Sequence, residues 1–374
     1  MEQKTDHRDR DVDRHWRVAS QKSELGAYSP TSVESRDSHT TVVDDTLHTR
    51  RIARPSRAFA SLHVARALSP FEDAPQAEED TSRVEDAAKS KKSRNWDDLD
   101  GDDKDDPMMV SEYIDDIIGY LKEIEPRSMP DSAYMDKQMD LTWDMRRALV
   151  IWIIQIHYHF RMLPETLFLA VNLIDRFLSK RLVSVTKLQL VGIAGLIIAS
   201  KYEGPETPDI KDFLYLCANT YTRKDILAME SSILQVLGHD MSYPNPMTFL
   251  RRVSKAEQYN VQSRTVAKYL MEVCLVDHRL MAFPPSHIAA AGICLARRML
   301  HSGEWDTNMR HFSGFEEAEL QPCVNLMANC ILCARDDESV FKKYSTQMFL
   351  RASLFCREWV GKHRDEFELT GHQS

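Results

Sequence analysis

Apolar residues gather most densely between Met145 and Lys201, in three runs broken by few charges: 145–160, 165–179 and 187–203. Each run is long enough, and apolar on enough of its circumference, to predict a buried helix. Two more helices are predicted at 210–218 and 222–238, the second bounded by Thr222 as N-cap and Gly238 as C-cap. A second series follows at 245–257, 263–281, 285–300, 316–336 and 339–355. No strand alternation or glycine-rich hairpin competes with these segments. The predicted fold class is all-α.

The two series read as copies. Ala194-Gly195 and Ala291-Gly292 lie ninety-seven positions apart, as do Ala199 and Ala296, whereas Ile174-Asp175-Arg176 and Val276-Asp277-His278 are separated by one hundred and two. A loop shorter by five residues between the second and third helices of the later copy would reconcile the two offsets. Small residues at matched places predict that the third helix is the crossed centre of each bundle. The expected architecture is therefore two tandem five-helix domains, at 137–242 and 243–360. Ahead of them, 107–136 holds an amphipathic helix at 110–125, with Ser111 as N-cap, and a proline-containing linker. A short tail occupies 361–374.

Residues 1–106 alternate charge with Ser, Thr and Pro, and offer too little apolar surface to offset the entropy of ordering, so a disordered regulatory tail is expected. Its cluster Lys89-Ser90-Lys91-Lys92-Ser93-Arg94 reads either as a nuclear-import signal or as a solvated charge run. Ser29-Pro30 and Ser69-Pro70 have the form of proline-directed phosphorylation sites.

The 374 residues carry a formal charge of −9, which argues against a general nucleic-acid coat. Seven cysteines, an odd number, and a polar N-terminus without a signal pattern point to a reduced intracellular compartment. The longest apolar stretches fall short of the ~20 residues that span a bilayer, so no membrane segment is expected. Cys330 and Cys333 form a C-x-x-C inside an apolar helical run with no second pair, which reads as core thiols rather than a metal site. His157 and His159 point to opposite faces of one helix. No phosphate-cradling glycine loop, Gly-x-Ser-x-Gly elbow or His-Glu-x-x-His is present. The expectation is a protein that is not an enzyme, with no catalytic residues, cofactor or metal.

One ordered set of motifs is recognisable: Glu165-Thr166-Leu167, Ile174-Asp175-Arg176-Phe177-Leu178, Lys187-Leu188-Gln189-Leu190-Val191-Gly192 and Ala199-Ser200-Lys201-Tyr202-Glu203. They continue as Asn219-Thr220-Tyr221-Thr222, Phe249-Leu250-Arg251-Arg252, Ala267-Lys268-Tyr269-Leu270-Met271-Glu272 and Phe283-Pro284-Pro285-Ser286. From Met145 to about Leu300 the chain resembles the cyclins, and most closely the mitotic B-type cyclins of fungi. The resemblance implies a regulatory subunit in a heterodimer with a cyclin-dependent Ser/Thr kinase, controlling the G2/M transition from the nucleus and cytoplasm. Such a subunit shifts the kinase helix that carries the ATP-site glutamate into its active place, by binding that arrangement better than the inactive one.

The resemblance also assigns residues. Lys201, Glu203, Glu230 and His239 match kinase-binding positions, although His239 replaces a large aromatic and Gly204 replaces a second glutamate of many relatives. Arg146 and Asp175 match an internal ion pair. Met145, Leu149, Trp152 and Gln189 match a patch that docks Arg-x-Leu substrates, with Arg147, Ala148 and Ile151 departing from its usual pattern; the same Met145, Leu149 and Trp152 stripe at i, i+4, i+7 also suits a core-filling role. The Arg-x-x-Leu destruction box usual in the tail of B-type relatives is missing: Arg57-Ala58-Phe59-Ala60 ends in alanine. The alternatives are a cyclin-box transcription initiation factor, which needs a continuous basic stripe, and a helical scaffold without a kinase partner or an enzyme with a divergent site, against which the absence of clustered catalytic residues argues.

Overall fold

The computed structural model describes residues 95–336 and 338–367; the tail's basic cluster and both Ser-Pro dipeptides lie outside the described residues. Thirteen α-helices and no strand occur among the described residues. Helix α1 (Ile114–Ser128) precedes a first bundle of α2 (Trp143–His159), α3 (Pro164–Lys180), α4 (Val185–Glu203), α5 (Ile210–Leu216) and α6 (Arg223–Val236). The second bundle comprises α7 (Pro246–Lys255), α8 (Val261–Val276), α9 (Pro285–Leu300), α10 (Thr307–Ser313), α11 (Glu317–Cys333), α12 (Ser339–Tyr344) and α13 (Ala352–Lys362).

Each third helix is the hub of its bundle, α4 lying against α2, α3 and α6, and α9 against α7, α8 and α11. Glycine makes these crossings close. A Cβ at Gly195 would stand 2.7 Å from Ile174 Cγ1 and 3.5 Å from the Ala170 carbonyl; one at Gly292 would stand 3.4 Å from Met271 Cγ and 3.5 Å from the Ala267 carbonyl. Helix α4 is also long and apolar enough to cross a membrane, but its surface is spent on these neighbours, and every residue from Leu188 to Ser200 is buried.

Those glycine contacts correct the alignment of the copies. Ala170 with Ala267, and Ile174 with Met271, keep the offset of ninety-seven seen in the third helices, so no loop difference is needed. Asp175 therefore corresponds to Glu272, not to Asp277. Asp277 lies just past the end of α8, where its carboxylate accepts from the Arg279 backbone at 2.9 Å and starts a 3-10 turn, His278–Ala282. That turn divides the predicted 263–281 helix.

The predicted 339–355 helix divides as well. Leu350 and Arg351 adopt left-handed φ values of 54° and 55° between α12 and α13, without a glycine or proline to mark the break. The Ser353 hydroxyl donates to the Phe341 carbonyl at 2.9 Å and folds α13 back on α12. Helix α10 had no periodic signal of its own, so the second bundle is built from more segments than the five expected.

At the N-terminal side, Asp106 caps a short 3-10 turn at Pro107, and the left-handed Val110 (φ 50°) postpones the α-helix to Ile114; Ser111 is consequently not its N-cap. Helix α1 runs past Pro126, whose ring falls in the last turn, to Ser128. It is held by both bundles. The buried Glu125 carboxylate accepts from Ser286 N at 2.6 Å and Ser286 Oγ at 2.8 Å, at the start of α9, while the Ser128 carbonyl accepts from Asn172 Nδ2 of α3 at 2.8 Å. Burial outweighs these donors and raises the Glu125 pKa.

Candidate functional site

The end of α4 carries Lys201, Tyr202 and Glu203, and α6 crosses behind it. The capping box of Thr222 with Asp225 starts α6 and fixes its register, which sets Glu230 opposite Lys201. Lys201 Nζ donates to Glu230 Oε1 at 2.6 Å, with the lysine side chain half exposed and the glutamate almost covered. An ammonium has three donors, so this pair holds the cation in place and leaves donors directed outward. Glu203 is buried beside them and Tyr202 is exposed. The helix stops at Gly204, where a Cβ would stand 2.7 Å from the Ser200 carbonyl. A side chain at this position would press on that carbonyl and require the backbone to shift.

His239 stands apart from that group, more than two helical turns beyond Glu230 along α6. Gly238 and His239 are both left-handed (φ 65° and 59°), and His239 N donates to the Leu234 carbonyl at 2.8 Å, so the imidazole projects, exposed, from the helix exit.

Arg146 and Asp175 meet in a bidentate pair, Nε to Oδ1 at 2.8 Å and Nη2 to Oδ2 at 2.7 Å, each residue 3% exposed. Two partners were not legible in the sequence. The Tyr134 hydroxyl donates to Asp175 Oδ1 at 2.9 Å, and Arg146 Nη1 donates to the Leu275 carbonyl of α8 at 3.0 Å. Burial opposes the guanidinium's charge, but the carboxylate beside it prevails and holds its pKa above the usual arginine value. The same burial, with Asp175 adjacent, pushes the Tyr134 hydroxyl up.

On the α2 face, Leu149 is fully buried under Gly192, and Trp152 and Gln189 are 5% and 4% exposed. Met145 alone of the four keeps a partly open side chain. The unusual residues at the edge of this face touch the second bundle. Arg147 forms an ion pair with Glu338, and the Ile151 carbonyl accepts from Ser339 Oγ at 2.9 Å, at the start of α12.

The second bundle contains a buried counterpart that sequence reasoning missed. Glu272 accepts from Lys343 Nζ at 2.7 and 2.8 Å and from the Tyr344 hydroxyl at 2.7 Å. A cation and a tyrosine hydroxyl thus serve the equivalent acid in both bundles. Basic residues of α7 are largely answered from within the chain: Arg251 pairs with Glu165, Arg252 with Asp100 and Asp115, and Lys255 with Asp100 and Asp103. Among the described residues no group of three or more His, Cys, Asp or Glu side chains could hold a metal ion. Cys330 is buried, its thiol directed to Asp277 Oδ2 at 3.2 Å, and burial raises its pKa.

Known proteins share this architecture. The family Cyclin, N-terminal domain, matches residues 116–242, and the family Cyclin, C-terminal domain, matches 244–358. A G2/mitotic-specific cyclin of Schizosaccharomyces pombe is 51% identical over 278 residues, 74% of this chain and 58% of that protein. A G2/mitotic-specific cyclin-B of Emericella nidulans is 48% identical over 266 residues, 71% of this chain and 56% of that protein. The chain thus spans rather more than half the length of these relatives. A viral cyclin from herpesvirus saimiri shares the fold, with a TM-score of 0.50 at 18% identity over 66% of this chain and 97% of that one. With both domains matched in tandem and relatives of this similarity, the chain belongs to the cyclin family, alongside the fungal mitotic B-type cyclins.

Proposed function

We propose that this cyclin is the regulatory subunit of a cyclin-dependent Ser/Thr kinase, acting at the G2/M transition from the nucleus and cytoplasm. The observation that carries the reading is the Lys201–Glu230 pair, which presents a fixed cation beside Glu203 and the exposed Tyr202 at the end of the hub helix. A rigid helix end bearing a few oriented charges suits the capture of a mobile partner helix in one of its two positions. The relatives' description as G2/mitotic-specific supports the stage of the cycle. The transcription-factor alternative needs a continuous basic face, and the α7 cations are instead matched by the chain's own acids.

Charge exchange tests the contact. Lys201→Glu alone sets two carboxylates against each other, whereas Lys201→Glu with Glu230→Lys restores the internal pair and still inverts the outward charge. Both variants are expected to lose at least about 2 kcal/mol of kinase affinity, roughly thirtyfold, in a pull-down or calorimetric titration. Wild-type binding and activation by the double variant would reduce the pair to a structural role.

Docking of Arg-x-Leu substrates on the α2 face belongs to the same proposal, with Met145 as its accessible member. Met145→Ala is expected to slow phosphorylation of substrates carrying that sequence several-fold and leave others unchanged. Equal slowing of both classes, measured by kcat/KM, would remove the cleft from the reading.

A further inference from the structure

Among the described residues, the stretch 95–123 contains no buried residue; the first is Ile124. Its N-terminal part nevertheless follows a defined path over α7 and α10. Trp96 stacks on His311, ring centroids 4.3 Å apart and planes 13° apart. Asp97 N donates to Asn308 Oδ1 and Asn308 Nδ2 donates to Asp97 Oδ2, both at 2.8 Å. Asp100 accepts from Arg252 Nη1 at 2.6 Å and from Lys255 Nζ at 2.7 Å, and Asp103 accepts from the same Lys255 at 2.7 Å. Beneath the strap the Arg252 guanidinium lies 4.4 Å from the centre of the Phe312 ring.

The surface under the strap is therefore a composite receptor: a histidine platform for an aromatic ring, an asparagine that reads a backbone amide, and two cations, of which Arg252 lies over an aromatic ring. We infer that the α7–α10 face is a docking site for acidic peptides led by a tryptophan, with aspartates four and seven positions later, and that the chain occupies it with its own residues 96–103. The partner it fits is a peptide of that chemistry on another protein.

The strap is suited to give way. Ion pairs and one ring stack attach it, rather than apolar burial, so it can open locally while the bundles stay folded. Added salt weakens such pairs. Opening would leave Lys255 without its two carboxylates and Arg252 with Asp115 alone, and the vacated face would then favour an acidic segment of matching spacing. A tethered strap competes at an effective concentration of roughly millimolar, which sets the threshold an outside peptide has to meet.

A fluorescent peptide of residues 95–106, titrated into the purified full chain, tests the site without a kinase, so its outcome is separate from that of the proposed function. The full chain carrying Trp96→Ala, Asp100→Asn and Asp103→Asn is expected to bind the peptide at least about tenfold more tightly than the unaltered chain, because the tethered competitor is disabled. Affinity is expected to fall as sodium chloride is raised. Adding Lys255→Gln to that variant is expected to remove binding while the helical circular dichroism and its melting curve stay unchanged. A peptide with the tryptophan replaced by alanine and the aspartates shuffled is expected to bind at least tenfold less. No binding to the strap-disabled chain, equal binding of the shuffled peptide, or indifference to Lys255→Gln would each overturn the proposal.

Discussion

Replacing Asp175 by alanine is expected to destabilise the folded chain by about 3–5 kcal/mol, because it leaves the Arg146 guanidinium buried without its counter-charge. The side chains of both residues are 4% exposed, so water cannot take the carboxylate's place without the helices parting. Tyr134 loses its acceptor in the same step. The variant is expected to unfold at markedly lower urea, followed by circular dichroism. Arg146→Met with Asp175→Leu removes the charge and its partner together and is expected to recover most of the loss. If the single variant unfolds within about 1 kcal/mol of the unaltered chain, the pair is not the anchor its geometry suggests.

Glu272→Ala should cost a similar 3–5 kcal/mol by the same physics, since Lys343 is left 6% exposed with no carboxylate to meet it. The location of the damage should differ. Lys343 and Tyr344 lie in α12, so hydrogen exchange is expected to accelerate first over α12 and α13, before the hub α9 is affected. Uniform acceleration across both bundles would show instead that α12 and α13 do not open as a separate unit.

The comparison of these two acids shows how far the chain could be read without coordinates. Helices α2, α3 and α4 were legible because their apolar residues cover nearly every face and their few charges stand out. Arg146 and Asp175 are two of those charges, and the resemblance to the cyclins named them as a pair. Glu272 and Lys343 are as deeply buried, but neither interrupts so uniform a run, and seventy-one positions separate them, so periodicity carried no trace of their pairing. Chemical likeness misled the alignment of the copies: Val276-Asp277 resembles Ile174-Asp175 more than Met271-Glu272 does, yet backbone packing at Gly195 and Gly292 selects the latter. The acidic stretch 97–106 was read as tail because it lacks apolar residues. What orders it is a set of ion pairs to residues some one hundred and fifty positions away, which no local pattern announces. At the proposed kinase contact, the resemblance pointed to Lys201 and Glu230 but not to their contact with each other. The break at Leu350 and Arg351 was invisible for another reason: residues of ordinary helical preference adopt left-handed backbone there under the pull of tertiary packing.

The twin acids also set the limits within which this chain can be cut. In the first bundle the cation and the hydroxyl arrive from upstream, Arg146 and Tyr134 lying before the acid they serve; in the second they arrive from downstream, Lys343 and Tyr344 lying after it. The arrangement is outward-braced, each half secured by its distal flank. The shortest span that keeps both carboxylates partnered therefore runs from Tyr134 to Tyr344, and a proteolytic nick that releases either flank strands a charge in the interior of the half it leaves behind.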